Sequence, residues 1–282
     1  MTKSYKTKTK VSNGILFVVM LLLGICMIIP FVWTLSSSFK NNNEIFAYPI
    51  KWIPEVFRWS NYAEVCERIP FVTYYLNTLK LAVIVTVGQV ITCSLAAYSF
   101  SKMQYPGRDK IFLCYLATLM VPWHAIMIPQ FLIIKTLGLN DSHWSLILIN
   151  IFSAFGVFLL RQFMMGIPEE LSEAARIDGL GRVGIITKIL APMCRSTLFT
   201  VTLVTFTNGW NAYFWPKIIA KGEKRRVLTV GLAYLKNTFA GAESMNNHEI
   251  MAGAVMAVVP VIILFFIFQK YMLTGYLSLI HI

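Results

Sequence analysis

The chain has 282 residues, of which 57% are hydrophobic and only 13% charged, and its mean hydropathy is +0.64. That balance excludes an ordinary soluble domain and indicates an integral membrane protein. The net charge of +12 does not indicate nucleic acid, which needs a soluble basic face with interleaved aromatics, and the five scattered cysteines support neither a disulfide framework nor a zinc site.

Lys3, Lys6, Lys8 and Lys10 precede the first apolar run, which is too long for a signal peptide and has no A-x-A cleavage site after it. Residues 1–14 are therefore expected to be a cytoplasmic basic tail ahead of a retained span. Six segments reach the roughly 20-residue length of a membrane helix: Ile15 to Leu35, Leu76 to Phe100, Ile111 to Ile133, Trp144 to Met164, Thr197 to Trp215, and Ile250 to Met272. The expected fold class is an all-α integral membrane protein, six transmembrane helices with a cytoplasmic helix-turn-helix, in one domain over 15–273 with a tail over 274–282. An even number of spans returns the C-terminus to the cytoplasmic side of the N-terminus.

The first connection, residues 36–75, holds Pro49, Pro54 and Pro70 with Trp52, Phe57, Trp59 and Tyr62, and reads as a compact amphipathic cap or an aromatic belt at the outer interface. Met120-Val121-Pro122-Trp123-His124 and Pro129 interrupt the third span, which predicts a kinked helix whose freed carbonyls need partners or a water-lined cavity.

Lysine and arginine in the connections set the orientation. Lys102, Arg108 and Lys110 crowd the second connection, whereas the third offers only Lys135. Arg161, Arg176, Arg182, Lys188 and Arg195 mark the connection at 165–195, which is expected to be cytoplasmic. The connection at 216–249 disagrees, since this topology sends Lys217, Lys221, Lys224, Arg225, Arg226 and Lys236 outside.

The most informative segment is a polar island, Pro168-Glu169-Glu170-Leu171-Ser172-Glu173-Ala174-Ala175-Arg176-Ile177-Asp178-Gly179. Pro168 can open a helix, the early glutamates suit its positive end, and Gly179 can stop it. Leu171, Ala174, Ala175 and Asp178 share one side at helical spacing, where the alanines permit close approach of another protein. A second short helix, with Ile185, Ile186, Ile189 and Leu190 as its apolar stripe, would run to Pro192.

Polar groups inside apolar helices mark candidate transport paths, because they are costly in lipid and face the bundle interior or water. Thr205, Asn208 and Asn211 in the fifth span, Gln89 in the second and Asn150 in the fourth are the candidates, with ordinary interhelical hydrogen bonding as the alternative role.

Glu173-Ala174-Ala175, with Gly179 six residues after the glutamate and Pro192 thirteen residues after the glycine, resembles the EAA loop of ABC importer permeases. Further phrases, among them Ser36-Ser37-Ser38-Phe39-Lys40, Ala96-Ala97-Tyr98-Ser99-Phe100-Ser101 and Trp210-Asn211-Ala212-Tyr213-Phe214-Trp215-Pro216, make most of the chain similar to the six-span permease of maltose-type sugar importers. Ala191 stands where that pattern has Leu, Ala212 where an acid is common, and Leu277-Ser278-Leu279-Ile280-His281-Ile282 where it has a Gly-rich tail ending in a basic residue.

The resemblance implies a type I ABC importer permease fold in a bacterial or archaeal cell membrane. It implies a foot that docks a cytosolic ATPase through Glu173, Ala174, Ala175, Asp178, Gly179, Ile189 and Pro192. It also implies the partners: a homologous second permease subunit, two ATPase subunits carrying ATP-Mg, and an extracytoplasmic sugar-binding protein, which the connection at 216–249 would touch. A sugar is the expected substrate, the lipid bilayer the surroundings, and nucleic acid is no partner. The chain has no phosphate-cradling GxxxxGK[ST] loop, no H-E-x-x-H array and no G-x-S-x-G turn, so no cofactor and no catalytic residue is expected on it, and ATP hydrolysis falls to the partner subunits. A permease for a peptide or phosphate and an ATP-independent carrier are the rival readings.

Overall fold

A computed structural model describes residues 2–238 and 246–280, in which helices account for the regular structure and no strand occurs. In chain order the helices are α1 (Thr2–Ser38), α2 (Ser60–Arg68), α3 (Phe71–Lys102), α4 (Arg108–Ala117), α5 (Trp123–Thr136), α6 (His143–Asn150) and α7 (Ala154–Met165). There follow α8 (Glu169–Ile177), α9 (Arg182–Met193), α10 (Arg195–Trp210), α11 (Phe214–Ile219), α12 (Leu228–Thr238) and α13 (Asn247–Ile280). Part of the sequence-predicted polar stretch 237–247, namely 239–245, lies outside the described residues, as do His281 and Ile282 at the end of the tail.

Four stretches are long and apolar enough to cross a membrane: Asn13–Ser38, Phe71–Lys102, His143–Met165 and Asn247–Ile267. The number rises to six when each of two bent pairs is taken as one span, Arg108–Met120 with Trp123–Thr136 and Arg182–Met193 with Arg195–Ile219. The first pair turns by 101°, more sharply than the kink read from sequence. Pro122 is the reason: it has no N–H to continue the helix and it forces Val121 into an extended conformation, φ −79° and ψ 119°. The second pair turns by 91° at Cys194, two residues after Pro192, where sequence ends the second short helix.

The chain divides into two compact units, Met1–Pro70 with Leu232–Val258 and Phe71–Gly231 with Val259–Ile282. In the first unit, the Asn61 side chain donates to the carbonyls of Ser38 (2.8 Å) and Lys40 (3.0 Å), closing the chain after α1 onto α2. Trp33 and Trp52 meet edge to face at 5.4 Å, and Phe39 packs among Phe57, Trp59 and Tyr62. Lys40 is buried, with its ammonium 4.2 Å from the Trp33 ring and bonded to the Lys51 carbonyl; burial lowers its pKa against the pull of Glu44. These contacts fold the proline- and aromatic-rich segment on itself, with Trp52, Phe57 and Trp59 still exposed.

In the second unit α3 is the axis, packed along its length by α7 and α10. Small residues allow the closest approach: a Cβ on Gly209 would sit 3.3 Å from the Cα of Ala82. One buried cluster gathers Cys93, Tyr98, Leu160, Ile185 and Leu190, and another gathers Leu81, Ile134, Ile147, Trp215 and Val230. Between α6 and α7 the helix breaks over 151–153, and α3 satisfies the carbonyls this frees. Gln89 Nε2 donates to the Asn150 carbonyl at 2.6 Å and Thr92 Oγ1 to that of Ile151 at 2.7 Å.

Candidate functional site

At one end of α3 lies the segment 165–195. Pro168 (φ −55°, ψ 140°) precedes α8, and Glu169 and Glu170 fall in its first turn, where the helix dipole favours them. At the far end the Leu180 amide donates to the Ala175 carbonyl (2.9 Å) and the Gly179 amide to that of Arg176 (3.0 Å). This paired closure is the Schellman motif, and it requires Gly179 at φ +83°, a conformation costly to any residue with a Cβ.

The side of α8 read from sequence as one surface is divided. Ser172 and Ala175, three apart, turn into the unit and are buried; Leu171, Glu173, Ala174 and Asp178 are exposed, and Ile177 is 87% exposed. After the turn, α9 buries Ile185, Ile186 and Leu190, half-buries Ile189 and exposes Pro192. Its middle, Ile185–Leu190, is wound as a π-helix.

Of two buried cations whose role sequence reading took as topological, Lys102 ties this segment to α3 and Arg161 ties α7 to α3 and α4. Lys102, on the last turn of α3, donates to the Ile167 carbonyl and lies 3.4 Å from Glu169. Arg161 bonds the Phe100 carbonyl (3.1 Å) and Asp109 (2.9 Å), with its guanidinium 4.0 Å from the Phe112 ring centroid. The Tyr98 hydroxyl, with Glu169 and Glu173, raises the pKa of Arg176, which lies 3.6 Å from Glu169.

Towards the other end of α3 lies a cavity of about 470 Å³, walled by α3, α5, α6, α7, α10 and α11. Gln89, Asn150, Thr205 and Asn208 line it together, so four of the five sequence candidates converge. Asn211 does not: it caps the end of α10 and lies off the wall. Gln89 is held at both ends of its amide, accepting from Thr205 and donating to Asn150. Thr200, Thr202 and Thr207 instead bond carbonyls four residues back in their own helix.

Sequence reasoning missed the rings of the wall, Trp123, Tyr213, Phe214 and Trp215. Trp123 stands 6.0 Å from Trp215 and 6.2 Å from Phe214, edge to face with both. The available signal was the aromatic density of 210–216 beside the Pro122 break. Among the described residues no Asp, Glu, Lys, Arg or His lines the cavity. Close by, Lys217 donates to the hydroxyl of the wall residue Tyr213 (2.9 Å) and Arg225 pairs with Asp141 (3.1 Å), while Asn77 Nδ2 donates to the main-chain carbonyls of Lys224 and Arg226.

Comparison with known proteins gives a consistent result. Residues 90–275 match the family described as the binding-protein-dependent transport system inner membrane component. The arabinooligosaccharides transport system permease protein of Halalkalibacterium halodurans is 30% identical over 252 residues, 88% of each chain. The sn-glycerol-3-phosphate transport system permease protein of Yersinia pestis is 30% identical over 264 residues, 91% of this chain and 93% of that one. A chain from the crystal structure of a bacterial ABC transporter involved in the import of the acidic polysaccharide alginate superposes with a TM-score of 0.79 at 27% identity, covering 96% of this chain and 98% of that one. A multi-pass helical chain with this foot, this cavity and these relatives belongs to the family of inner membrane components of binding-protein-dependent transport systems.

Proposed function

We propose that this chain is the permease subunit of an ATP-driven importer of a neutral oligosaccharide, and forms half of its translocation path. The carrying observation is the cavity: amides and hydroxyls that hydrogen-bond sugar hydroxyls, rings that cover sugar faces, and no charge on the described wall. The buried indole N–H of Trp215, without a hydrogen-bond partner among the described residues, adds a donor in that wall. The 30% identity to an arabinooligosaccharide permease supports the same substrate class.

The remaining parts of the reading follow from the family. A homologous permease completes the path, two ATPase subunits bind ATP-Mg, and an extracytoplasmic binding protein delivers the sugar to the side bearing 216–227. Counting each bent pair as one span supports six crossings, and the reading puts both termini and the segment 165–195 in the cytoplasm. Glu173, Ala174, Asp178 and Gly179 meet the ATPase, Ala175 backs them from inside, and Ile189 and Pro192 shape the second helix of the foot. ATP binding draws the ATPases together and rocks the permease between two states, which ligands shift only by binding one better than the other.

An anionic substrate is the second reading, favoured by the basic run Lys217 to Arg226 and by the glycerol-3-phosphate and alginate relatives. Vesicles containing the complete transporter separate the two. The neutral reading expects uptake of arabinobiose or arabinotriose in competition with other neutral oligosaccharides and none of glycerol 3-phosphate or oligouronate. Uptake of an anion alone overturns it, and uptake without any ATPase subunit overturns the importer reading itself.

A further inference from the structure

We propose that Lys102 is a positioning residue, the tie through which displacement of the foot is passed to the cavity wall. The inference rests on the proposed reading of 165–195 as the ATPase-docking foot.

A lysine amine with only 4% of its side chain exposed is expensive to hold unless its donors are used. Here they are spent on the first turn of the foot: the Ile167 carbonyl, immediately before Pro168, and the Glu169 carboxylate at 3.4 Å. In the last turn of α8 Arg176 lies 3.6 Å from Glu169, and Ala175 shares a buried cluster with Tyr98 of α3. Tyr98 and Lys102 are four residues apart on α3 and so lie on one face, with the ammonium at the negative end of the helix dipole. The first turn of α8 is therefore fastened to the final turn of α3, while the buried residues farther along, Ser172 and Ala175, offer little apolar grip.

What α3 then does with that attachment follows from its continuity. It runs from Phe71 to Lys102 without a proline or a break. Thirteen residues, about 20 Å of helix, separate Lys102 from Gln89 in the cavity wall. Of the other routes from foot to cavity, Arg182–Ile219 turns by 91°, whereas α7 runs unbroken from Ala154 to Met165 and carries Phe155 and Gly156 of the wall. A push on α8 reaches Gln89 along α3 through the hold at Lys102.

The test uses the complete transporter in vesicles, with Asn208→Cys as a reporter in the cavity and site-resolved labelling by N-ethylmaleimide, with and without Mg-ATP and vanadate. ATP hydrolysis and retention of the ATPase subunits are measured in the same samples. The expected result is that nucleotide changes the labelling rate at position 208 at least fivefold in the parent. Lys102→Met loses that response while still binding the ATPase and hydrolysing ATP, and Lys102→Arg, which keeps a donor and the charge, recovers it. A nucleotide response in Lys102→Met equal to the parent overturns the proposal. Should Lys102→Met fail to reach the membrane, Glu169→Gln decides instead: a response lowered two- to threefold supports the tie, and an unchanged one overturns it. Glu173→Lys and Gly179→Pro are run alongside. If these also keep the full response, the foot reading fails; if they lose it while Lys102→Met keeps it, only the Lys102 inference fails.

Discussion

Gln89 of α3 donates to the main-chain carbonyl of Asn150 at 2.6 Å, at the point where α6 stops and its own ladder can no longer supply a partner. The other end of the same amide accepts from Thr205 of α10. One side chain thus joins three helices at the cavity. Gln89→Leu keeps the volume and removes both bonds, leaving a carbonyl and a hydroxyl unpaired. Interhelical bonds of this type average roughly 0.6 kcal/mol and reach about 1.7. The purified variant should therefore lose about 1–3 kcal/mol, read as a lower thermal midpoint in detergent. An unchanged midpoint would mean that the amide is idle.

The foot can be disturbed without disturbing the fold. Glu173 is exposed, so Glu173→Lys should insert and fold normally while uptake falls at least tenfold. Gly179→Ala should cost about 1–2 kcal/mol for its left-handed conformation. Gly179→Pro should do more harm, since it also removes the amide bonded to Arg176. Membrane yield, ATPase pull-down and uptake, taken together, check this ordering.

Charge placed in the cavity should be penalised by position. Asn208→Asp puts a carboxylate on an uncharged wall and should lower uptake of a neutral oligosaccharide at least tenfold, while Asn211→Asp, off that wall, should change it less than twofold. Equal effects at the two positions would argue against the cavity as the path.

In the first unit Arg68 Nε stands 2.9 Å from the carboxylate of Glu249, which is fully buried while the arginine is about half exposed. Removing one partner of a buried pair typically costs about 3–5 kcal/mol, and exposure of the arginine reduces that. Arg68→Met should therefore destabilise the protein more than the double variant Arg68→Met/Glu249→Gln. A thermal melt of both compares them directly.

Much of this was legible because it is local. Pro122 ends a helix, whereas Pro129, expected to interrupt the same span, stays inside α5; the alternation of Pro168, early glutamates and Gly179 specifies a short capped helix by backbone rules. The break at 151–153 has no such residue; the bonds from Gln89 and Thr92 satisfy the carbonyls it frees. Lys102 and Arg161 looked like loop charges because a sequence does not disclose which carbonyls a long side chain will find. The cavity rings come from α5 and from the 213–215 run, far apart along the chain, and only tertiary structure brings Trp123 to Trp215. Asn211 failed as a candidate for a helical reason: it stands three residues beyond Asn208, where α10 has already ended.

The threonines of α10 carry a mechanical implication. Thr200, Thr202 and Thr207 turn their hydroxyls back onto their own backbone and so use up the donor that could bind a neighbouring helix. Of the four threonines Thr200, Thr202, Thr205 and Thr207, Thr205 alone spends its donor on another helix, so a single hydroxyl latches α10 to α3 at the cavity.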